Sequence, residues 1–290
     1  MDDQNWLAKR FEAHRPHLRA VAYRMLGSLA EADEAVQDAW LRLSRSGADG
    51  VENLGGWLTT IVARVCLNAL QARDVRSQER LARRMPDPVV SREDQADPEQ
   101  EALLADSVGL ALLVVLETLP PAERLAFVLH DMFDLPFEEI APMVNRSPTA
   151  ARQLASRARR RVQGASVPPI DRDLSRQREV VQAFFAAGRA GDFEGLVRLL
   201  HPDVVLRSDA AGLTEIRGAR RVARLAFAGA RPSRSVLHVL VNGAAGVIIV
   251  EGGRPVTVMG FTVSDGRIVE IDGVTAPQRL AYLDVGVFSA

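Results

Sequence analysis

Apolar positions keep a helical period through the first half of the chain and change to strand alternation towards its end. Over residues 5–75 they recur three and four apart, as in Leu18, Val21, Ala22 and Met25, and again in Trp57, Ile61, Val65 and Leu67. Gly27–Ser28 and the polar stretch Ser44–Gly56 interrupt the period, so several helices are predicted. Residues 76–104 hold three prolines and many charges without sustained periodicity, which predicts a linker. Helical spacing returns over 105–163, where "GLALLVVL" (Gly109–Leu116) reads as a buried helix. "GASVPPIDRDL" (164–174) is a second linker. After it, "SRQREVVQAFFAAGRAGDFEGLVRLL" predicts two helices. "DVVLRSDA", "SVLHVLVNG", "AGVIIVEGG", "PVTVMGFTVSDG" and "RIVEIDGV" then predict antiparallel strands between Gly, Asp and Asn turns, with a helix over Arg217–Ala230 after the first. Helices followed by a run of strands argue for an α+β part.

Composition narrows the class. The 290 residues are 47% hydrophobic, enough to fill more than one core. No run reaches the ~20 apolar residues of a membrane span, and the opening "MDDQNWLAKRFEAHR" has neither the basic start nor the apolar centre of a signal peptide. A cytoplasmic protein with no membrane partner is expected. Cys66 is the single cysteine, which excludes a disulfide framework and a cysteine zinc site. The net charge of −1 hides an uneven distribution. Residues 1–75 carry nine Lys/Arg against ten Asp/Glu, Pro86–Asp106 seven acids against one arginine, and Asn145–Gln163 six arginines with no acid. A local basic patch therefore survives inside a near-neutral chain, and nucleic-acid binding stays open.

That patch has a helical design. With Pro148–Val162 on a helix, Ala151, Leu154, Ala155, Ala158 and Val162 share one face, and Arg152, Gln153, Ser156, Arg157 and Arg160 the opposite one. Ser147 suits the N-cap and Pro148 the first helical position. "PFEEIAPMV" upstream predicts a short helix and Asn145–Ser147 a tight connection, the plan of a helix-turn-helix. Arginine pairs bidentately with guanine and glutamine with adenine, while further arginines neutralise phosphates. A merely solvated arginine face is the bland alternative. Pro142 falls inside the first helix and should disturb it.

Two blocks resemble the extracytoplasmic-function (ECF) sigma factors. "AYRMLGS", "ADEAVQDAWLRL" and "GWLTTIVARVCLNAL" look like their region 2, and "LPPAERLAFVLHDMFDLPFEEIAPMVNRSPTAARQLASRARRRV" like their region 4, in that order. The resemblance implies all-α region 2 at 1–75, a linker at 76–104, and all-α helix-turn-helix region 4 at 105–163. It implies contacts of Asp33, Glu34, Gln37, Asp38 and Trp40 with the β′ clamp of core RNA polymerase, and of region 4 with the β flap. Promoter DNA would be the second partner. The loop Ser44–Gly55 would take a flipped base of the −10 element, supported by Trp57, Arg64 and Asn68, since a base must leave the stack to be read on its pairing edge. Arg152, Gln153, Ser156 and Arg157 would face −35 bases, with Ser147, Thr149 and Arg160 nearer phosphates. Where the family usually has glycine in the turn, this chain has Asn145, which tolerates the left-handed conformation.

A linker at 164–174 leads to residues 175–290, which resemble the SnoaL-like fold, a cone of curved antiparallel sheet covered by helices; "GDFEGLVRLLHPDVVL" carries the likeness. Some ECF factors carry this domain, and "MPDPVV" (85–90) looks like the proline-rich motif they place before region 4. "SDAAGLTEIRG" and "VTAPQRL" depart from the other motifs of that subset. The resemblance implies a regulatory tail that folds back on regions 2 and 4. Candidate polar groups for a pocket in the cone are His201, His238, Asp209, Glu251 and Asp272, and alternation would put Ile268, Glu270 and Asp272 on one strand face. Structural polar residues at strand ends are the plainer reading, and binding without catalysis or cofactor is expected. His14 and His17, three residues apart beside Glu12, and His130 read as surface or core rather than metal ligands. Cys66 reads as packed, and Phe184 and Phe185 as core. The rival readings are a free-standing helix-turn-helix regulator, with 5–75 as a dimerisation bundle, and a small-molecule enzyme in the tail.

Overall fold

The computed structural model describes residues 2–47, 51–77, 85–91, 110–164, 171, 173–210, 213–281 and 283. They fall into two compact units. The first holds residues up to 82 and 115–166, and the second is built on 167–290 with 83–96 and 107–114.

In the first unit α1 (Asp2–Leu26), α2 (Leu29–Ser46) and α3 (Leu54–Ser77) pack together. The buried set on α1 includes Leu18, Val21, Ala22 and Met25, as their spacing predicts. On α2 it is Ala32, Ala35, Val36, Ala39 and Leu43, whose three alanines let helices approach closely. On α3 the period holds but its phase differs from the expectation. Leu58, Val62, Ala63, Cys66 and Leu67 are buried, while Trp57, Ile61 and Val65 sit half-buried on the flank. The connection between α2 and α3 is also shorter than Ser44–Gly55. Helix α2 runs through Ser46 to Gly47 at φ 69°, and α3 begins at Leu54, so Gly55 is helical. Residues 48–50 lie outside the described part.

Helix α4 (Leu110–Leu116) precedes α5 (Pro121–Phe127), which continues into a π turn over Val128–Met132. Helix α6 (Phe137–Ile140) follows, then a 3₁₀ turn over Ala141–Met143 and α7 (Pro148–Gly164). Pro142 has no N–H for an α-type bond, and the α6 helix tightens into 3₁₀ geometry where it stands. Asn145 takes φ 52°, the left-handed conformation expected of it. Ser147 accepts a hydrogen bond at Oγ from the N–H of Ala150 (3.2 Å).

The second unit opens on α8 (Leu174–Ala190), capped by the Asp173 carboxylate, which accepts from the N–H groups of Ser175 and Arg176. Helix α9 (Phe193–Leu199) is capped in the same way by Asp192. A short α10 (Ala219–Gly229) and α11 (Pro277–Leu280) complete its helices among the described residues. The strands are β1 (Val90–Ser91), β2 (Leu200–Ser208), β3 (Thr214–Arg217), β4 (Arg234–Val241), β5 (Ala244–Glu251), β6 (Arg254–Ser264) and β7 (Arg267–Val274). They form one sheet in the order β1-β4-β5-β6-β7-β2-β3. Every pairing is antiparallel except β2 with β7. No hairpin joins those two strands, so their directions are not tied together.

Two features depart from the expectations. Strand β1 comes from the stretch expected to be a linker. Val90 pairs with Val241, and the N–H of Val89 donates to Asn242 Oδ1 (3.1 Å), so the segment after Pro88 covers the exposed edge of β4. Second, a bulge between Thr262 and Val263 shifts the register against β7. Strict alternation over 268–272 is therefore broken: Ile268 and Ile271 both enter the core, away from Glu270 and Asp272. That core packs Val181 and Phe184 of α8, Leu196 of α9 and Val222 and Ala223 of α10 against Val204, Val247, Phe261 and Val263 of the sheet.

Candidate nucleic-acid and polymerase interface

Helix α7 buries Ala151, Ala155 and Ala158 completely and packs that face on α5 and α6. Arg152, Gln153, Arg157 and Arg160 are exposed opposite it, with Ser156 half-exposed, as the helical spacing requires. Ser147 and Thr149 are exposed at its start. The arginines divide by partner. Arg157 donates from Nε to Glu123 Oε1 (2.8 Å), and Arg161 pairs with the other oxygen of that carboxylate. Glu123 is itself buried, so this pair braces α7 against α5. Arg159 pairs with Asp131. Arg152 instead lies over the Phe137 ring, 5.3 Å from its centroid, and Arg160 reaches only the Ser156 hydroxyl (3.4 Å). Two guanidiniums of the presented face thus keep their charge uncompensated by an acid among the described residues.

The three residues expected on the following face of the first block lie along α3. Arg64 and Asn68 are exposed and one turn apart, and Trp57 is half-buried near the start of the helix. Arg64 donates from Nη2 to the carbonyl of Pro142 (3.3 Å), beside the helix-turn-helix turn. A second tie links the same helical groups: the buried guanidinium of Arg124 on α5 donates to the Arg24 carbonyl on α1 (3.3 and 3.2 Å) and to Glu117 (2.9 Å).

On α2, Asp33, Glu34, Gln37 and Asp38 are exposed, on the face opposite its buried alanines. Asp33 is paired with Arg19 of α1 (2.7 Å). Glu34, Gln37 and Asp38 line a groove of about 550 Å³ together with Leu41, Val65 and Arg73. Leu41 is 40% exposed, an apolar side chain among acids. Trp40 does not join them; it is half-buried and packs at a tilt against Phe11, ring centroids 5.1 Å apart. Leu41, which sequence reasoning missed, follows Asp38 by three positions and so shares its face.

The remaining candidates resolve into packing. Burial pushes the Cys66 thiol up to about 12, so it stays protonated in the interior. His17 meets Phe133 edge-on, and burial, with His14 and Arg24 nearby, holds it below its ordinary value. His130 bonds the Leu135 carbonyl through Nδ1 (2.9 Å) and stacks on Phe137. Among the described residues no cluster could hold a metal ion, and no helix is long and apolar enough to cross a membrane.

In the second unit a cavity of about 230 Å³ opens inside the cone. None of His201, His238, Asp209, Glu251 and Asp272 lines it. His201 and His238 are exposed, and Glu251 is held at the rim of the sheet by Arg234 and Ser233. Asp272 and Glu270 flank Arg207 (3.2 and 3.1 Å). Burial, and Glu270 beside it, push Asp272 up to about 7 against the pull of Arg207. Asp209 accepts from the backbone and hydroxyl of Thr275 and from Arg279 Nη1 (2.7 Å); burial would raise its carboxyl, but these donors hold it below the usual aspartate value. Arg279 also grips Asp87 (2.6 Å), fastening the proline-rich segment to the cone.

Comparison with known proteins finds the same three parts in the same order. The model for Sigma-70 region 2 matches residues 10–76, that for Sigma-70 region 4 residues 109–162, and that for the SnoaL-like domain residues 181–271. The ECF RNA polymerase sigma factor SigJ of Mycobacterium tuberculosis (strain ATCC 25618 / H37Rv) is 36% identical over 286 residues, 93% of this chain and 91% of its own. The probable ECF RNA polymerase sigma factor SigI of the same strain is 33% identical over 288 residues, 97% of each chain. The crystal structure of Mycobacterium tuberculosis SigJ superposes with a TM-score of 0.76 at 34% identity, covering 96% of this chain and 99% of that one.

Proposed function

The chain belongs to the ECF RNA polymerase sigma factors, and on that premise we propose how its parts share the work of promoter recognition. Helix α7 enters the major groove of the −35 element with Arg152, Gln153 and Ser156 toward base edges. Ser147, Thr149 and Arg160 meet phosphates. Arg157 joins the bases when its pair with Glu123 yields to DNA. The observation that carries this reading is the division on α7: a fully buried alanine face, an acid-braced flank, and Arg152, Gln153 and Arg160 presented without an acid.

Core polymerase is bound through the α2 face. Glu34, Gln37 and Asp38 offer charge and Leu41 an apolar anchor in one groove, the mixture that suits a basic partner helix on the β′ clamp. Asp33 contributes once Arg19 releases it, and Trp40 supports the helix from its Phe11 side. Trp57, Arg64 and Asn68 on α3 support the opened −10 strand, and region 4 also meets the β flap.

The first unit is a closed form of this machine. The −35 and −10 elements lie about 25 base pairs apart, ~85 Å at ~3.4 Å per base pair. Helix α3 and the helix-turn-helix touch through Arg64 and the Pro142 carbonyl. Both elements are reached together only when these groups part. In this reading residues 1–75 and the helix-turn-helix share the promoter and polymerase contacts, and residues 175–290, joined by the 85–91 segment through β1, form a regulatory domain that binds rather than catalyses. Glu270 and Asp272, the paired carboxylates of β7, are engaged by Arg207, which suits a structural role.

The test is co-purification of the full chain with core RNA polymerase, followed by run-off transcription from promoters selected by the resulting holoenzyme. Core binding and promoter-specific transcripts are expected. Duplex binding without polymerase, and no core binding, would establish the free-standing regulator instead.

A further inference from the structure

The cavity in the cone has a built polarity that promoter recognition does not use. Its walls are apolar: Phe184 and Phe185 of α8, Leu196 of α9, and Val236, Ile249 and Met259 of the sheet. At about 230 Å³ it is smaller than the ~300–1,000 Å³ of drug-sized sites, so its occupant is short. Four guanidiniums line it. Two are already spent. Arg207 is held by Glu270, Asp272 and Glu215, and Arg234 by Glu251 and the Gly229 carbonyl. The other two, Arg189 at the end of α8 and Arg231 after α10, are exposed and have no salt-bridge carboxylate among the described residues. The positive field of Arg189 reaches the neighbouring strand, where burial and then Arg189 hold His238 below its ordinary value. Glu251 also lies near Arg231, but Arg234 and Ser233 occupy its oxygens. One side of the cavity therefore carries two cations without a salt-bridge carboxylate among the described residues, while the Arg207 side is surrounded by carboxylates.

We propose that this cavity binds a short amphipathic carboxylate, its apolar tail among the phenylalanines and its head on Arg189 and Arg231. The asymmetry fixes the orientation. A carboxylate on the Arg207 side would face Glu270 and Asp272, whereas at the other side it meets unpaired guanidiniums that form charge-assisted, bidentate bonds. The tail replaces water against six apolar walls, the term that supplies most of the affinity. The ligand class follows from those two halves: a medium-chain fatty acid or an aryl-alkanoic acid satisfies both, whereas a sugar has neither and a nucleotide lacks the apolar tail.

Titration calorimetry on the full chain tests this, with octanoate as probe and 1-octanol as its uncharged counterpart. Octanoate binds, and 1-octanol binds at least about tenfold more weakly, the order expected for losing hydrogen bonds to charged groups. The double variant Arg189→Gln/Arg231→Gln, altered only at exposed positions, brings octanoate down to the level of 1-octanol. Ala226→Phe, which fills the cavity from α10, abolishes binding of both; if that variant does not fold, Thr257→Leu makes the same test from the sheet. No octanoate binding at millimolar concentration overturns the proposal. Equal binding of the two probes, unchanged by the double variant, overturns the head-group assignment, and binding that survives a folded cavity-filling variant shows attachment elsewhere.

Discussion

Single residues on α7 carry separable jobs, and their partners tell them apart. Arg152 has no acid partner among the described residues and rests on an aromatic ring, so its guanidinium is available in a defined direction. Arg152→Ala is expected to weaken discrimination at one −35 base pair by ~1–3 kcal/mol while leaving binding to mismatched DNA nearly unchanged. Affinity measured across a set of single-base promoter variants checks this. A uniform loss over all of them would instead make Arg152 a phosphate contact. Cys66 offers a contrasting case. Its thiol is fully buried and its pKa is about 12, so the reactive thiolate is scarce at neutral pH. The folded chain is expected to resist maleimide at pH 7.5 over hours and to react at once in denaturant; rapid labelling of the native protein would reveal an opening of α3.

At the scale of elements, helical period and turn chemistry are legible in the sequence itself, because they are local. Ser147, Pro148 and Asn145 mark the helix-turn-helix through their own backbone preferences, and the structure puts each in the expected conformation. The phase of α3 is not legible in that way. Trp57, Ile61 and Val65 are as apolar as Leu58 and Val62, and only the neighbouring helices decide which set is covered. Strand β1 is hidden for a related reason: a two-residue strand has no period, and it exists because β4 presents an open edge. Glu270 and Asp272 share a side as alternation predicts, but Ile268 leaves them for the core at the bulge, where β7 carries one extra residue against β6 that alternation cannot foresee. The clamp of Asp87, Arg279 and Asp209 joins positions 192 and 70 residues apart, beyond any local signal. It has a consequence in acid. Asp209 titrates lower in the folded state than in the unfolded chain, so its contribution to stability is complete above the ordinary aspartate value near ~3.9 and is lost as pH falls through the lower folded value. Asp209→Asn is expected to lower the melting temperature at pH 7 and to flatten the stability profile below about pH 4. A variant whose profile runs parallel to the parent's would show that the clamp is not titrating.

At the scale of the molecule, the arrangement of the helical unit makes the largest demand on dynamics. The two surfaces proposed to face DNA are joined by polar ties, Arg64 to the Pro142 carbonyl and Arg124 to the Arg24 carbonyl, beside the packing of His17 and Arg24 on Phe133. Hydrogen bonds of this kind contribute ~1.5–3 kcal/mol each when the donor is charged, little enough for core polymerase and promoter contacts to outweigh. On the proposed function the closed unit is a state whose population binding shifts, because polymerase and a spaced promoter would interact only with the parted form. Donor and acceptor dyes on Lys9→Cys of α1 and Gln163→Cys of α7 report the separation. Both positions are exposed, and the buried Cys66 does not compete for the label. Transfer is expected to be efficient in the free protein and to fall on forming the holoenzyme with promoter DNA. Arg64→Ala, which removes the tie at Pro142, should lower the efficiency in the free protein. If transfer stays high in the holoenzyme, the two surfaces do not part, and simultaneous reading of both promoter elements by one copy of the chain is excluded.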